Sequence, residues 1–180
     1  MQIEAAGQVR FGNDVKQTYL PVFWNTSWFK MRPPHTTGAY IDNSHPMFKD
    51  FPTDDWGTLN WWELLNKAQV MNLSRFPRGY QPPVQPIDTW HVSRKLGKLI
   101  EAIVLGGKLL MTTMDISSGL DGRLVARQMR KAILNYMNSA DFAPSLSVDP
   151  QEIWNLFENE AQGVNMFTND SPDELKPKLK

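Results

Sequence analysis

The chain has 180 residues, and its 19 basic and 19 acidic side chains leave no formal net charge at pH 7. A chain of this length can bury one hydrophobic core. Nucleic acids and anionic membranes both favour proteins with a positive excess, so the charge balance argues against both as partners. The sequence contains no cysteine, which excludes disulfides, thiolate metal sites and a cysteine nucleophile.

No apolar run reaches the length of a membrane span, about 18 residues, and residues 1–6 lack the basic and apolar regions of a signal peptide. The early elements predicted in chain order are strands at residues 8–11, 19–24 and 38–42. A short helix is expected from Pro46, whose missing N–H costs nothing in a first turn, to about Pro52.

A helix of about ten residues is predicted from Asn60, because Asn60 and Glu63 form a variant of the capping box. Its apolar residues share one face: Trp61, Leu64, Leu65 and Ala68. The proline-rich residues 82–88 are expected to be extended.

The rest of the chain is organised around a hairpin followed by a helix. Residues 97–104 alternate between two faces, and Gly106 and Gly107 are expected to form the turn, since both tolerate positive φ. Residues 108–115 form the returning strand, which is apolar on both sides and is therefore expected to be covered on both faces.

An amphipathic helix at residues 122–139 is expected to lie on this sheet. Its apolar positions are Val125, Met129, Ala132, Ile133 and Tyr136. Its basic residues, expected to be solvated rather than to bind an anion, are Arg123, Arg127, Arg130 and Lys131. A last helix, capped by Asp149, extends to about Glu160. Because strands and helices alternate, we expect an α/β fold with a layered mixed sheet flanked by helices.

The familiar catalytic motifs are missing: there is no G-x-S-x-G elbow, phosphate-binding glycine loop or H-E-x-x-H pair. His35, His45 and His91 are too scattered to predict a zinc triad, so we expect no metal and no cofactor. Carboxylates could still supply the acid and nucleophile of a glycosidase. The candidates are Asp54, Asp55, Asp88, Glu101 and Asp115. Acids before a helix usually serve its dipole, and Glu101 is expected to face solvent, so no catalytic residue is assigned.

Seven tryptophans are present, and five of them lie between residues 24 and 62: Trp24, Trp28, Trp56, Trp61 and Trp62. This density predicts either a large aromatic core or a surface for flat ligands such as sugars. For a single tryptophan, core packing is favoured, because aromatic side chains dominate the buried area of most domains.

Eight segments carry a resemblance: PVFWNT (21–26), HP (45–46), FPT (51–53), NWWELL (60–65), PIDTW (86–90), RKLG (94–97), GKLL (107–110) and ARQ (126–128). Their order across residues 19–143 resembles the C-terminal part of glycoside hydrolase family 2 enzymes, the β-galactosidase-like group of Bacteroides relatives. The resemblance implies part of a class I glutamine amidotransferase-like, flavodoxin-like domain. Amidotransferase activity is not implied, because the chain lacks the cysteine nucleophile.

The resemblance also implies an organisation of the chain. Residues 1–18 are an extension or extra strand, 19–143 the accessory domain, 144–168 a docked C-terminal helix and 169–180 a flexible tail. It implies a longer parent enzyme in the periplasm or outside the cell. The two catalytic carboxylates of family 2 stand on a TIM barrel, which is larger than this chain, and must therefore lie elsewhere in that parent.

The function expected is that of a non-catalytic accessory domain, which packs against other domains of the longer chain or shapes the approach of substrate. One alternative is a carbohydrate-binding module for a poly- or oligosaccharide, and another is a small carboxylate-dependent glycosidase. The candidate ligand-binding residues are Trp24, Trp28, Trp56, Trp90, His91 and Asp88.

Overall fold

A computed structural model of the chain describes residues 18–19, 35–36, 38–65, 68, 70–88 and 93–158. Its strands are β1 (Thr18–Tyr19), β2 (His35–Thr36), β3 (Gly38–Ile41), β4 (Met71–Asn72), β5 (Val84–Ile87), β6 (Leu96–Gly97), β7 (Leu99–Val104) and β8 (Gly107–Thr112). Its α-helices are α1 (Leu59–Leu65), α2 (Leu124–Met137) and α3 (Pro150–Glu158). Short 3₁₀ helices span Pro46–Asp50 and Leu120–Gly122.

The largest sheet has four strands in the order β3, β5, β7, β8, and each neighbouring pair is antiparallel. β4 and β6 form a small antiparallel pair, and β1 and β2 a small parallel one. The described part of the chain is therefore a mixed α/β structure flanked by three helices, which confirms the coarse α/β class. The expected mixed sheet is wrong for the four-stranded sheet, because all of its strand pairs are antiparallel. Within the described ranges, no helix is long and apolar enough to cross a membrane.

Side chains that alternate along β7 enter two different cores. Leu99 joins a first core, which α1, α2 and the 3₁₀ helix at Pro46–Asp50 close over one face of the sheet. Ile100 joins a second core, which α3 and residues 71–80 close over the other face. β8 does the same with Leu110 and Met111, so the predicted coverage of the returning strand on both faces is confirmed.

The hairpin is confirmed, but its predicted turn is wrong by one residue. Val104 pairs with Gly107, so Leu105 and Gly106 are the two turn residues. Their φ angles are 50° and 76°, as a two-residue turn with positive φ at both central positions requires. The pairing of the strands therefore places Leu105 in a left-handed conformation that glycine would adopt more readily.

Each predicted helix has a counterpart, but α1 has seven residues instead of about ten and ends before Ala68. The expected end of α3 near Glu160 lies outside the described residues. The capping of α1 also differs from the prediction. α1 begins at Leu59, one residue before the cap expected at Asn60, and the Trp61 N–H bonds to the carbonyl of Thr58. Glu63 is not part of a capping box but accepts a hydrogen bond from Arg123 at 2.6 Å. At α3 the expected cap is present, since Asp149 Oδ1 accepts from the Gln151 N–H at 2.8 Å.

Other predictions fall outside the described residues. The strand expected at 8–11, most of the one at 19–24 and the tail at 169–180 lie there. The predicted domain boundaries accordingly stay predictions.

The Tyr80 hydroxyl bonds to the backbone of β7 at a position on its edge where no described strand pairs. β5 pairs with β7 at Leu99, and residues 146–148 bond to Ile103 further along the same edge. Between these points, the Tyr80 hydroxyl accepts from the Glu101 N–H and donates to the Glu101 carbonyl, both at 3.0 Å. Burial raises the pKa of Tyr80, so the hydroxyl keeps its proton. One side chain thus replaces a missing strand.

We expect Tyr80→Phe to destabilise the fold by about 1 to 3 kcal/mol, because it leaves a buried N–H and a buried carbonyl without their partner. Urea unfolding followed by circular dichroism measures the change. Tyr40→Phe is the matched control, since the Tyr40 side chain is exposed, and it should change stability by less than about 0.5 kcal/mol. Equal unfolding free energies for Tyr80→Phe and the parent chain would contradict this role.

Candidate functional site

The structure describes two of the predicted ligand-binding residues, Trp56 and Asp88. The others lie outside the described residues: Trp24, Trp28, Trp90 and His91. The two described residues differ sharply, since Trp56 is exposed and Asp88 is buried.

Trp56 lies on the surface beside the edge strand β3, where it forms an antiparallel bridge with Tyr40. The Trp56 residue is 58% exposed and Tyr40 40% exposed. Their rings meet edge to face, with centroids 6.2 Å apart and planes 82° apart, which is a favoured geometry for aromatic pairs. Neighbouring backbone bonds, from Ile41 N to Asp55 O and from Gly57 N to Ala39 O, fix this segment against β3.

The same face of the sheet continues onto β5. Tyr40 pairs with the half-buried Gln85, and Gly38 pairs with the exposed Ile87. Side chains on the other face of β3 and β5 enter the first core, whereas neither core includes this group of residues. We call Tyr40, Trp56, Gln85 and Ile87 the open face.

Asp88 is held by Arg94, six residues later in the chain. Its Oδ2 accepts from the backbone N and Nε of Arg94, both at 2.8 Å, and its Oδ1 accepts from Nη2 at 3.1 Å. A two-pronged contact of this kind is among the stronger ion pairs in proteins. Asp88 therefore joins the end of β5 to the residues that precede β6, and both of its oxygens are in use.

Glu101 faces the first core, and the expectation that it meets solvent is wrong. The register of the sheet places it on the same side as Leu99, under α2. Its Oε2 accepts from the Tyr136 hydroxyl at 2.7 Å, and its Oε1 lies 3.4 Å from His45 Nε2. Burial and the bond to Glu101 raise the pKa of Tyr136, which keeps this hydroxyl a donor.

His45 completes this cluster. Its Nδ1 accepts from the Met47 N–H at 3.3 Å, so Nε2 is the nitrogen that carries the proton toward Glu101. A histidine beside a carboxylate can move protons in an enzyme. Here both nitrogens and both carboxylate oxygens have internal partners, so the cluster ties the 3₁₀ helix, β7 and α2 together.

Asp115 and Glu63 are joined by Arg123. The guanidinium places Nε 2.6 Å from Glu63 Oε1 and Nη1 2.9 Å from Asp115 Oδ2. Burial works against ionisation of Asp115, but hydrogen bonds from Ser118 and Ser117 and the charge of Arg123 together lower its pKa to about 2. Asp115 is therefore ionised at any physiological pH.

Asp54 and Asp55 are the exception among the candidate acids. Both are exposed, and in the described part of the chain no group donates a hydrogen bond to either side chain. Asp55 bonds the Ile41 end of β3, whereas Asp88 follows the residue that pairs with Gly38 at the other end. Ile41 and Gly38 are three residues apart, and a strand rises about 3.3 Å per residue. The backbones of Asp55 and Asp88 are therefore about 10 Å or more apart. Among the described residues, no group of three acids or histidines could hold a metal ion.

Lys98 is a fully buried cation that no motif in the sequence signals. Its Nζ donates to the carbonyls of Leu65 at 2.6 Å and Ala68 at 3.0 Å. These carbonyls stand at the end of α1, where helix carbonyls lack intrahelical partners and favour a cation. Burial lowers the pKa of Lys98 from 10.5 to about 7.

The lowered pKa predicts a pH-dependent stability. Between pH 7 and 10.5 the unfolded chain binds this proton more tightly than the folded chain, so Lys98 makes the unfolding free energy rise with pH by about 1 kcal/mol per unit. We expect Lys98→Met to remove this slope in urea unfolding at pH 7, 8 and 9. The exposed Lys131→Met is the control and should keep it. Parallel curves for Lys98→Met and the parent chain would contradict the prediction.

Sequence reasoning named Trp56, Glu101 and His45 but missed the residues that they contact, so neither the open face nor the Glu101 cluster was predicted as a group. The open face could have been found, because burial of the apolar Ala39 and Ile41 implies that Tyr40 points the other way. The Glu101 cluster could not, because its members are 56 and 35 residues apart and no spacing rule joins them.

No curated protein matches the chain. A family model described as a domain of unknown function, DUF8487, matches residues 2–158. That range contains every described strand and helix, including the open face and the Glu101 cluster. The chain therefore belongs to the DUF8487 family.

Proposed function

We propose that this chain is a non-catalytic accessory domain of a carbohydrate-degrading glycoside hydrolase, packed against other domains of a longer chain. The observation that carries the proposal is that three of the candidate acids accept hydrogen bonds within the fold. Asp88, Glu101 and Asp115 each hold separate parts of the fold together. The order of the family 2-like segments supplies the kind of parent enzyme.

Glycoside hydrolysis needs two carboxyl groups on either side of the scissile bond, and the general acid needs a raised pKa. The pKa of Asp115 is lowered instead. Both oxygens of Asp88 accept hydrogen bonds from one guanidinium, so this carboxyl group is already engaged within the fold. These environments disfavour proton donation and favour a structural role.

The proposal includes the finer likeness to part of a glutamine amidotransferase-like domain. Its support is the segment order together with the coarse α/β class. A parent enzyme in the periplasm or outside the cell, and the lack of nucleic-acid and membrane partners, are proposed on the same resemblance and on the charge balance.

We expect the purified chain to release no nitrophenol from nitrophenyl galactosides, glucosides, xylosides or arabinosides above the rate of a buffer blank. The same result is expected for Asp54→Asn, Asp55→Asn and Glu101→Gln, because none of these acids is proposed to act on substrate. Absorbance of released nitrophenolate is the measurement.

Turnover by the parent chain that disappears in Asp54→Asn or Asp55→Asn would contradict the proposal. Asp121→Asn is the matched control, because Asp121 is also an exposed acid but lies in the 3₁₀ helix before α2. Its substitution separates a lost catalytic group from a general change of surface charge.

A further inference from the structure

We propose that the open face is a binding site for a neutral saccharide chain, in which a sugar ring stacks on Trp56 and hydroxyls bond to Gln85. The inference deepens the proposed function, on which the choice of a saccharide partly rests. The contacts of the open face supply the remaining argument.

The Trp56 ring is exposed yet held in place. The edge-to-face contact with Tyr40 orients the ring, and the backbone on both sides of Trp56 is bonded to β3. A ligand that stacks on this ring therefore has little side-chain freedom to remove, and such preorganisation favours binding. Rings with one apolar face and a polar rim are suited to ligands that are themselves part apolar and part polar.

The open face is a row of side chains that runs across neighbouring strands. Trp56, Tyr40 and Gln85 are successive partners across neighbouring strands, so at a strand spacing of about 4.8 Å their row spans about 10 Å. Two residues further along β5, Ile87 lies on the same face, and its partner Gly38 has open space where a side chain would be. A row of this length suits two linked sugar rings lying along it.

The charges near Trp56 favour a neutral ligand. Asp54 and Asp55 directly precede Trp56, and their carboxylates accept no hydrogen bond from the described part of the chain. The bridge between Trp56 and Tyr40 directs the Asp55 side chain to the opposite face, so these acids act on a ligand of the open face through their charge. Uronates and phosphates would be repelled by two negative charges so close to Trp56, whereas a neutral saccharide would not.

Trp154 provides a matched comparison within the same chain. It is 60% exposed, close to the value for Trp56, but lies on α3 beside Phe157. The nearest acid in sequence, Glu152, already accepts from Asn155 at 3.1 Å. Trp154 thus has the exposure of Trp56 but lies on a helix, without the cross-strand row of the open face.

Affinity electrophoresis of the full chain tests the proposal, with native gels that contain galactan, β-glucan, xylan or polygalacturonate. We expect at least one neutral polymer to retard the chain and polygalacturonate not to. Trp56→Ala should weaken that binding at least tenfold and Gln85→Ala about threefold to tenfold, whereas Trp154→Ala should bind like the parent chain. Circular dichroism of each variant confirms that it is folded.

Three results would overturn the proposal. The first is an absence of retardation in all three neutral gels, and the second is equal affinity for Trp56→Ala and Trp154→Ala. The third is a dimer in size-exclusion chromatography that Trp56→Ala dissociates, because the open face would then be an interface between protein chains. None of these results depends on nitrophenyl glycoside turnover, so failure here is distinguishable from failure of the accessory-domain proposal.

Discussion

The hydrogen bonding of Glu101 is the interaction on which the rest of the structure depends. Its side chain is largely buried beside the first core, where a carboxyl group without partners would be unfavourable. Its backbone lies on a stretch of β7 that has no neighbouring strand on one side. Tyr80 satisfies the backbone, and Tyr136 and His45 satisfy the carboxylate. One residue thereby ties together both layers that cover the sheet.

The layer that covers the first face of the sheet extends over more strands than the layer that covers the second face. Over the first face, the core runs from Ala39 at one edge of the sheet to Leu110 at the other. Over the second face, α3 and residues 71–80 pack on Ile100 and Met111 of the hairpin. The part of this face that belongs to β3 and β5 therefore has Tyr40 and the other residues of the open face at the surface.

The described tryptophans divide in the same way, because Trp61 belongs to the first core whereas Trp56 lies at the surface. Trp61 is fully buried, packs edge to face on Phe48 and Phe51, and donates its Nε1 proton to Thr53 at 2.7 Å. Trp56, five positions earlier, lies at the surface. The difference arises because α1 directs Trp61 into the first core, whereas Trp56 bridges an edge strand on its outer face.

The sequence by itself determined the elements whose signals are local. The alternation of residues 97–104, the helical spacing of Met129, Ile133 and Tyr136, and the Asp149 cap all rest on interactions within a few residues, and each is present in the fold. Only the tertiary structure decided which face of each strand is covered. Alternation could place Glu101 with Leu99, but only the docking of α2 decided that this side is the interior. Pairings such as Lys98 with the end of α1 also depend on chain packing, because their members are far apart in sequence and meet only when the layers assemble.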